Sequence, residues 1–70
     1  MKITNRVRVL RKELGLRQED LAKLAGVSRQ TIIAIENEKY SPSLELAMSL
    51  SQLLSRPVED IFQSLPDESD

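Results

Sequence analysis

Two stretches of the chain gather side chains able to do chemistry. Residues 28–37, SRQTIIAIEN, set a guanidinium, an amide and a hydroxyl among three isoleucines and an alanine. Residues 17–20, RQED, place two carboxylates side by side at Glu19 and Asp20. Paired carboxylates can share general acid and base work, but they need a nucleophile, a metal or a partner base at matching spacing. The sequence has no histidine and no cysteine, so the imidazole base, the thiolate and the usual nitrogen and sulfur metal ligands are missing, and no disulfide can form. Glu19 and Asp20 are better explained as the negative first turn of a helix, facing the positive end of its dipole. The expectation is a protein that is not an enzyme, with no catalytic residue, no cofactor, no metal and no small-molecule ligand. Residues 28–37 are a different matter, because hydrogen-bonding groups on one face of a helix either stay solvated or touch another molecule.

A helix turns about 100° per residue. With Ser28 at the origin, Ile32 and Ile35 fall on one side with Glu36 at its border, while Arg29, Gln30, Ile33, Ala34 and Asn37 fall on the other. One side offers two large apolar groups to a core. The other offers a long cation, an amide, a methyl and an exposed isoleucine.

Other helices must hold this one. Apolar residues recur with helical spacing at Val7, Leu10 and Leu14, at Leu21, Leu24 and Ala25, and at Leu46, Ala47, Leu50, Leu53 and Leu54. No segment alternates like a strand for more than a few residues. The first helix should start after Thr4 or Asn5, either of which can cap it, and end at Gly15. The second runs from about Gln18 to Gly26, and the third, capped by Ser28, runs to about Glu36. NEKYSPS is a polar turn, after which Ser41 or Ser43 caps a fourth helix reaching about Leu54. SRPVEDIF then gives a break and a short fifth helix with Pro57 near its start and Glu59 and Asp60 in its first turn, and QSLPDESD is an acidic end expected to fray. The result is an all-α, single-domain chain over residues 1–70. No apolar run approaches the roughly 20 residues that span a bilayer, and MKITNRVRVL lacks the apolar stretch of a secretory signal, so no membrane partner and a cytoplasmic location are expected.

The net charge of −1 hides a strong asymmetry. Residues 1–41 carry nine basic side chains against five acidic ones, whereas residues 42–70 carry only Arg56 against six acids. A chain split in this way can turn a basic face to a polyanion while its acidic half points away, although Arg6, Arg8, Arg11 and Lys12 also suit a plain solvated helix face.

QEDLAKLAGVSRQTIIAIE resembles the helix-turn-helix of the Cro and lambda-repressor-like family, also called the Xre family. The matching positions are Gln18, Leu21 and Ala22, the turn Gly26, Val27 and Ser28, and then Ile32, Ile35 and Glu36. Each has a physical reason: Ala22 lets the two helices cross closely, Gly26 makes the tight turn, and Val27, Ile32 and Ile35 fill the core beneath the crossing. The segment from residue 35 to 62, IENEKYSPSLELAMSLSQLLSRPVEDIF, is similar to the remainder of the short stand-alone, compact five-helix members. Some members add a two-stranded β ribbon, which MKIT and IFQSL could supply here.

The resemblance implies double-stranded DNA as partner and a helix-turn-helix unit over residues 18–37, with the third helix in the major groove and the second across the backbone. Arg29 and Gln30 would be the principal base readers, since arginine can bond guanine O6 and N7 and glutamine can bond adenine N6 and N7. Thr31, between groove and core, could touch a base or a phosphate, Ala34 either meets a thymine methyl or makes room, and Ile33, in the middle of the DNA face, is either a thymine-methyl contact or a residue without explanation. Phosphate contacts would come from Gln18, Asn37, Lys39, Tyr40 and Ser41, with Tyr40 alternatively packed over the fourth helix. Arg17 departs from the family, which has a small capping residue there; the cap is lost, but the cation could bind phosphate. Arg11 and Glu36 match an internal salt bridge, which is structural. Such regulators commonly pair by two-fold symmetry, and Val58, Ile61, Phe62 and Leu65 are the expected dimer surface, with Phe62 alternatively sealing the core and the acidic end, 65–70, away from DNA. The function implied is a homodimeric, sequence-specific transcriptional regulator of the repressor kind. The alternative is an antitoxin or adaptor that uses the same fold to hold a protein.

Overall fold

The computed structural model describes residues 2–66. Its elements are β1 (Lys2–Asn5), α1 (Val7–Glu13), α2 (Gln18–Ala25), α3 (Arg29–Glu36), α4 (Leu44–Leu54), α5 (Val58–Ile61) and β2 (Phe62–Leu65). The five helices enclose a core to which each contributes: Val7 and Leu10, Leu21 and Ala22, Ile32 and Ile35, Leu46, Leu50 and Leu54, and Ile61. Fully burying a side chain of this size is worth roughly 1.5–3 kcal/mol, so these few residues carry most of the stability available to so small a chain.

β1 and β2 pair antiparallel, with Lys2 opposite Leu65 and Asn5 opposite Phe62. The Arg6 N–H donates to the Ile61 carbonyl at 2.8 Å and leads the ladder into α1 and α5. The ribbon thus ties the two ends of the helical domain together.

Four helices end in one motif. After α1 the Leu16 N–H donates to the Arg11 carbonyl and Gly15 to Lys12; after α2, Val27 donates to Ala22 and Gly26 to Lys23. Gly15 and Gly26 adopt the left-handed φ of 72° and 73° that this ending requires. The same paired bonds close α3, from Lys39 to Ala34 and Glu38 to Ile35, and α4, from Arg56 to Ser51 and Ser55 to Gln52. There the left-handed residues are Glu38 (φ 61°) and Ser55 (φ 56°), which carry a Cβ and pay for that conformation.

Several expectations need correcting. α1 ends at Glu13, two residues before Gly15, so Leu14 leaves the helical period and is 51% exposed. Leu24 is 58% exposed, because the buried stripe of α2 is centred between Leu21 and Ala22 and Leu24 lies beyond its edge. Ile61 is 0% exposed and belongs to the core, so it has no surface to offer a second copy of the chain. Phe62 is half-buried and packs against the same core. Of the acidic end, Leu65 closes β2 and Pro66 follows it, while residues 67–70 lie outside the described residues.

Candidate nucleic-acid interface

The outer face of α3 is built from its cap upward. The Ser28 hydroxyl accepts the Thr31 N–H at 3.2 Å and lies 3.0 Å from the Thr31 hydroxyl, so Thr31 is tied into the helix start and half-buried. Inward, Ile32 and Ile35 anchor the helix to the core. Outward, Arg29 and Gln30 are exposed, and Ile33 and Ala34 are half-buried one turn further along. Asn37 ends the helix, and Lys39, Tyr40 and Ser41 follow it as exposed loop residues.

A buried carboxylate sets where α3 sits. The Glu36 side chain is 0% exposed and the Arg11 side chain 8%. Arg11 Nε donates to Glu36 Oε2 at 2.7 Å and Nη2 to Oε1 at 3.2 Å, while Nη1 donates to the Leu16 carbonyl at 2.9 Å. Two further donors reach Oε1: Gln18 Nε2 at 3.1 Å and Arg8 Nε at 3.3 Å. Burial, the largest single influence, would push the Glu36 carboxyl up, but the hydrogen bonds from Arg11, Gln18 and Arg8 and the charge of Arg11 outweigh it. The carboxyl is therefore held below its ordinary range, and it stays ionised. One acid facing two arginines leaves this corner of the molecule positive.

Sequence reasoning missed Arg8 in this arrangement, and it offered Asn5 as a cap for α1 without its link to α3. Arg8 also donates through Nη2 to Asn37 Oδ1 at 3.1 Å, so it spans the last turn of α3. Its position three residues before Arg11 puts both on one face of α1, which is the signal that could have found it. Asn5 caps α1 by accepting the Val7 N–H at 3.1 Å, and its amide donates to the Ile35 carbonyl at 2.8 Å. The ribbon, α1 and the end of α3 are thereby joined through one side chain.

The start of α2 differs from expectation in how it is capped. The Asp20 carboxylate accepts the Arg17 N–H at 2.8 Å, which replaces the missing cap from the opposite direction. The Arg17 guanidinium lies 3.2 Å from Asp20 and 3.0 Å from Glu19. Those contacts hold Asp20 below the ordinary aspartate range, the guanidinium hydrogen bond contributing most and the backbone N–H next. Arg17 is therefore partly neutralised by its own helix, while Gln18 has one amide hydrogen committed to Glu36.

Arg11, Arg17, Gln18, Glu19 and Arg29 line a shallow depression of about 320 Å³ between the starts of α2 and α3. Of its three guanidinium groups, Arg11 is bound by Glu36 and Arg17 by Asp20 and Glu19. Among the described residues no group of three or more acids could hold a metal ion, and no helix is long and apolar enough to cross a membrane.

Comparison with known proteins agrees with this architecture. The family model described as helix-turn-helix matches residues 7–61. The chain is 58% identical over 57 residues to a protein of Methanothermobacter thermautotrophicus described as an uncharacterized HTH-type transcriptional regulator, covering 80% of this chain and 83% of that one. It is 52% identical over 64 residues to a protein of the same description from Methanocaldococcus jannaschii, covering 91% and 97%. A crystal structure of a candidate DNA-binding protein from Bacteroides fragilis superimposes with a TM-score of 0.78 at 26% identity, over 87% of this chain and 98% of that one. With a family match across most of its length and the two-helix unit of α2 and α3 at its centre, the chain belongs to the Xre-like helix-turn-helix family of transcriptional regulators.

Proposed function

We propose that the protein is a cytoplasmic, sequence-specific repressor that binds a two-fold symmetric DNA operator as a homodimer, with α3 in the major groove. The observation that carries this is the two-sidedness of α3: Ile32 and Ile35 lock it to the core while Arg29 and Gln30 stand exposed on the other side. Arg29 reads guanine and Gln30 adenine, each bidentate pair being worth about 1–3 kcal/mol of discrimination. Thr31 and Ala34 flank them at the groove, the former held by Ser28. Phosphates are held by Lys39, Tyr40 and Ser41 in the loop after α3, by the amide of Asn37 and by Gln18, whose backbone N–H opens α2 and has no partner within the helix. Arg17 contributes less than a free cation, because Asp20 and Glu19 compete for it.

The dimer reading is supported by a mainly apolar groove of about 300 Å³ lined by Ile3, Pro42, Leu44, Ala47, Val58 and Phe62, with Ser41 at its edge. Leu44 is 73% exposed, and Leu65 on β2 is exposed as well. A second copy covering this face shields apolar surface that a monomer leaves in water. Two domains related by a two-fold axis would set their reading helices about 34 Å apart, one turn of DNA.

Selection of binding sites from random DNA, followed by sizing of the complex, tests the proposal. A palindromic site bound by two chains is expected, with affinity lost in Arg29→Ala and Gln30→Ala. An unpaired half-site bound by one chain would overturn the dimer, and undiminished specificity in both variants would overturn the readout.

A further inference from the structure

α3 carries three isoleucines, two of which are locked in the core. Ile33 is turned the other way. It is half-buried and stands outside the partly buried residues packed against the core, which are Leu16, Ala25, Val27, Leu53 and Phe62. One turn before it is Arg29 and one turn after it is Asn37, both exposed, and Gln30 is three residues away on the same side. A branched apolar group thus occupies the middle of an otherwise polar face. Its exposed part gains nothing from water, and the free energy of covering that part is realised only against another apolar surface. The base edges of a major groove display one such group, the 5-methyl of thymine.

We infer that Ile33 is a specificity-determining residue that selects a thymine in each half-site through its 5-methyl group, a role that rests on α3 docking in the groove as proposed above. Arg29 and Gln30 recognise their bases by directional hydrogen bonds, whereas Ile33 recognises a shape and the absence of water. The thymine therefore belongs next to the hydrogen-bonded bases, one helical turn further along α3. The same methyl stands at the same ring position in 5-methylcytosine, so Ile33 also separates methylated from unmodified cytosine at that position.

The test replaces each thymine of a selected site, one at a time, with uracil, which lacks only the methyl. Losing one buried apolar carbon weakens binding about fourfold. One position per half-site should show that loss with the native chain and none with Ile33→Ser, while Ile33→Val, which keeps the branched shape, should retain most of it. Cytosine and 5-methylcytosine at the same position should differ in the same sense. Melting curves confirm that the variants fold. Uracil without effect at every position, or with equal effect in the native chain and Ile33→Ser, overturns the inference while leaving DNA binding intact. Recovery of no preferred site overturns the DNA-binding role, and the inference falls with it.

Discussion

Glu36 and Arg11 form a bidentate ion pair at 2.7 and 3.2 Å with both side chains almost wholly withdrawn from solvent. The pair joins α1 to the last turn of α3 and therefore fixes the direction in which Arg29 and Gln30 project. A buried pair adds modestly to stability when intact, but removing one partner strands the other charge, at a cost of about 3–5 kcal/mol. Arg11→Ala should lower the unfolding free energy by about that amount in urea titrations. The exposed Arg8 cannot substitute, because its Nε contact is longer and its side chain half in water. A loss below about 1 kcal/mol would mean that Glu36 finds solvent or another donor easily.

The same pair dictates an acid response. The Glu36 carboxyl is held below its ordinary range in the folded chain, so the folded state binds its proton less readily than the unfolded state does. The resulting stabilisation is complete above the unfolded glutamate value of about 4.3 and is lost as pH falls through the lower folded value. Asp20 is shifted in the same direction, but it is a surface group screened by water and contributes little. Urea stability measured from pH 7 downward should fall most steeply below about pH 4. Glu36→Gln should be less stable at neutral pH and should flatten that fall; an unchanged acid slope would remove Glu36 as its source.

Two helix endings invite stabilisation. Ser55 and Glu38 hold left-handed backbone angles that glycine adopts without penalty. Glu38 also lies 3.5 Å from Lys2, so replacing it mixes two effects. Ser55 is exposed, and replacing it leaves the neighbouring bond from the Ser51 hydroxyl to the Arg56 carbonyl in place. Ser55→Gly should therefore raise stability by about 0.5–1 kcal/mol, the relief of the Cβ clash less the entropy that glycine adds to the unfolded chain. Thermal unfolding checks this, and a lowered melting temperature would contradict it.

These endings also mark where the sequence was silent. Gly15 and Gly26 announce a left-handed turn by residue type; Ser55 and Glu38 do not, since nothing local separates them from any exposed polar residue. The helix-turn-helix was legible because its apolar spacing, its Ser28 cap and Gly26 turn all agree with one another. The ribbon was legible through resemblance alone, because four residues are too few to show strand alternation. Ile61 could not be separated from Phe62 and Val58 by sequence, as one turn of helix gives no period, and only the packed structure assigns it to the core. The convergence of Arg8 and Gln18 on Glu36 joins residues 28 and 18 positions from it, a relation no local pattern carries.

The two kinds of cation on the proposed DNA face should separate in their salt dependence. Lys39 lies in the loop after α3, beyond reach of the base-reading end of the helix, and its ammonium is a point charge suited to phosphate. Removing one phosphate contact lowers the slope of log affinity against log salt by about 0.9. Lys39→Ala removes one such contact in each half of the dimer, so it should weaken selected and unrelated DNA alike and flatten the slope by about 1.8. Arg29→Ala should instead cost about 1–3 kcal/mol in each half-site of the selected site and little on unrelated sequence, because a bidentate contact to guanine exists only where guanine stands at the right place. Arg17 gives the internal control: its guanidinium already faces Asp20 and Glu19, so Arg17→Ala should change the slope less than Lys39→Ala does. Titrations at several salt concentrations measure all three. Equal slopes for Arg17→Ala and Lys39→Ala would show that DNA displaces the two carboxylates and draws Arg17 fully into the contact.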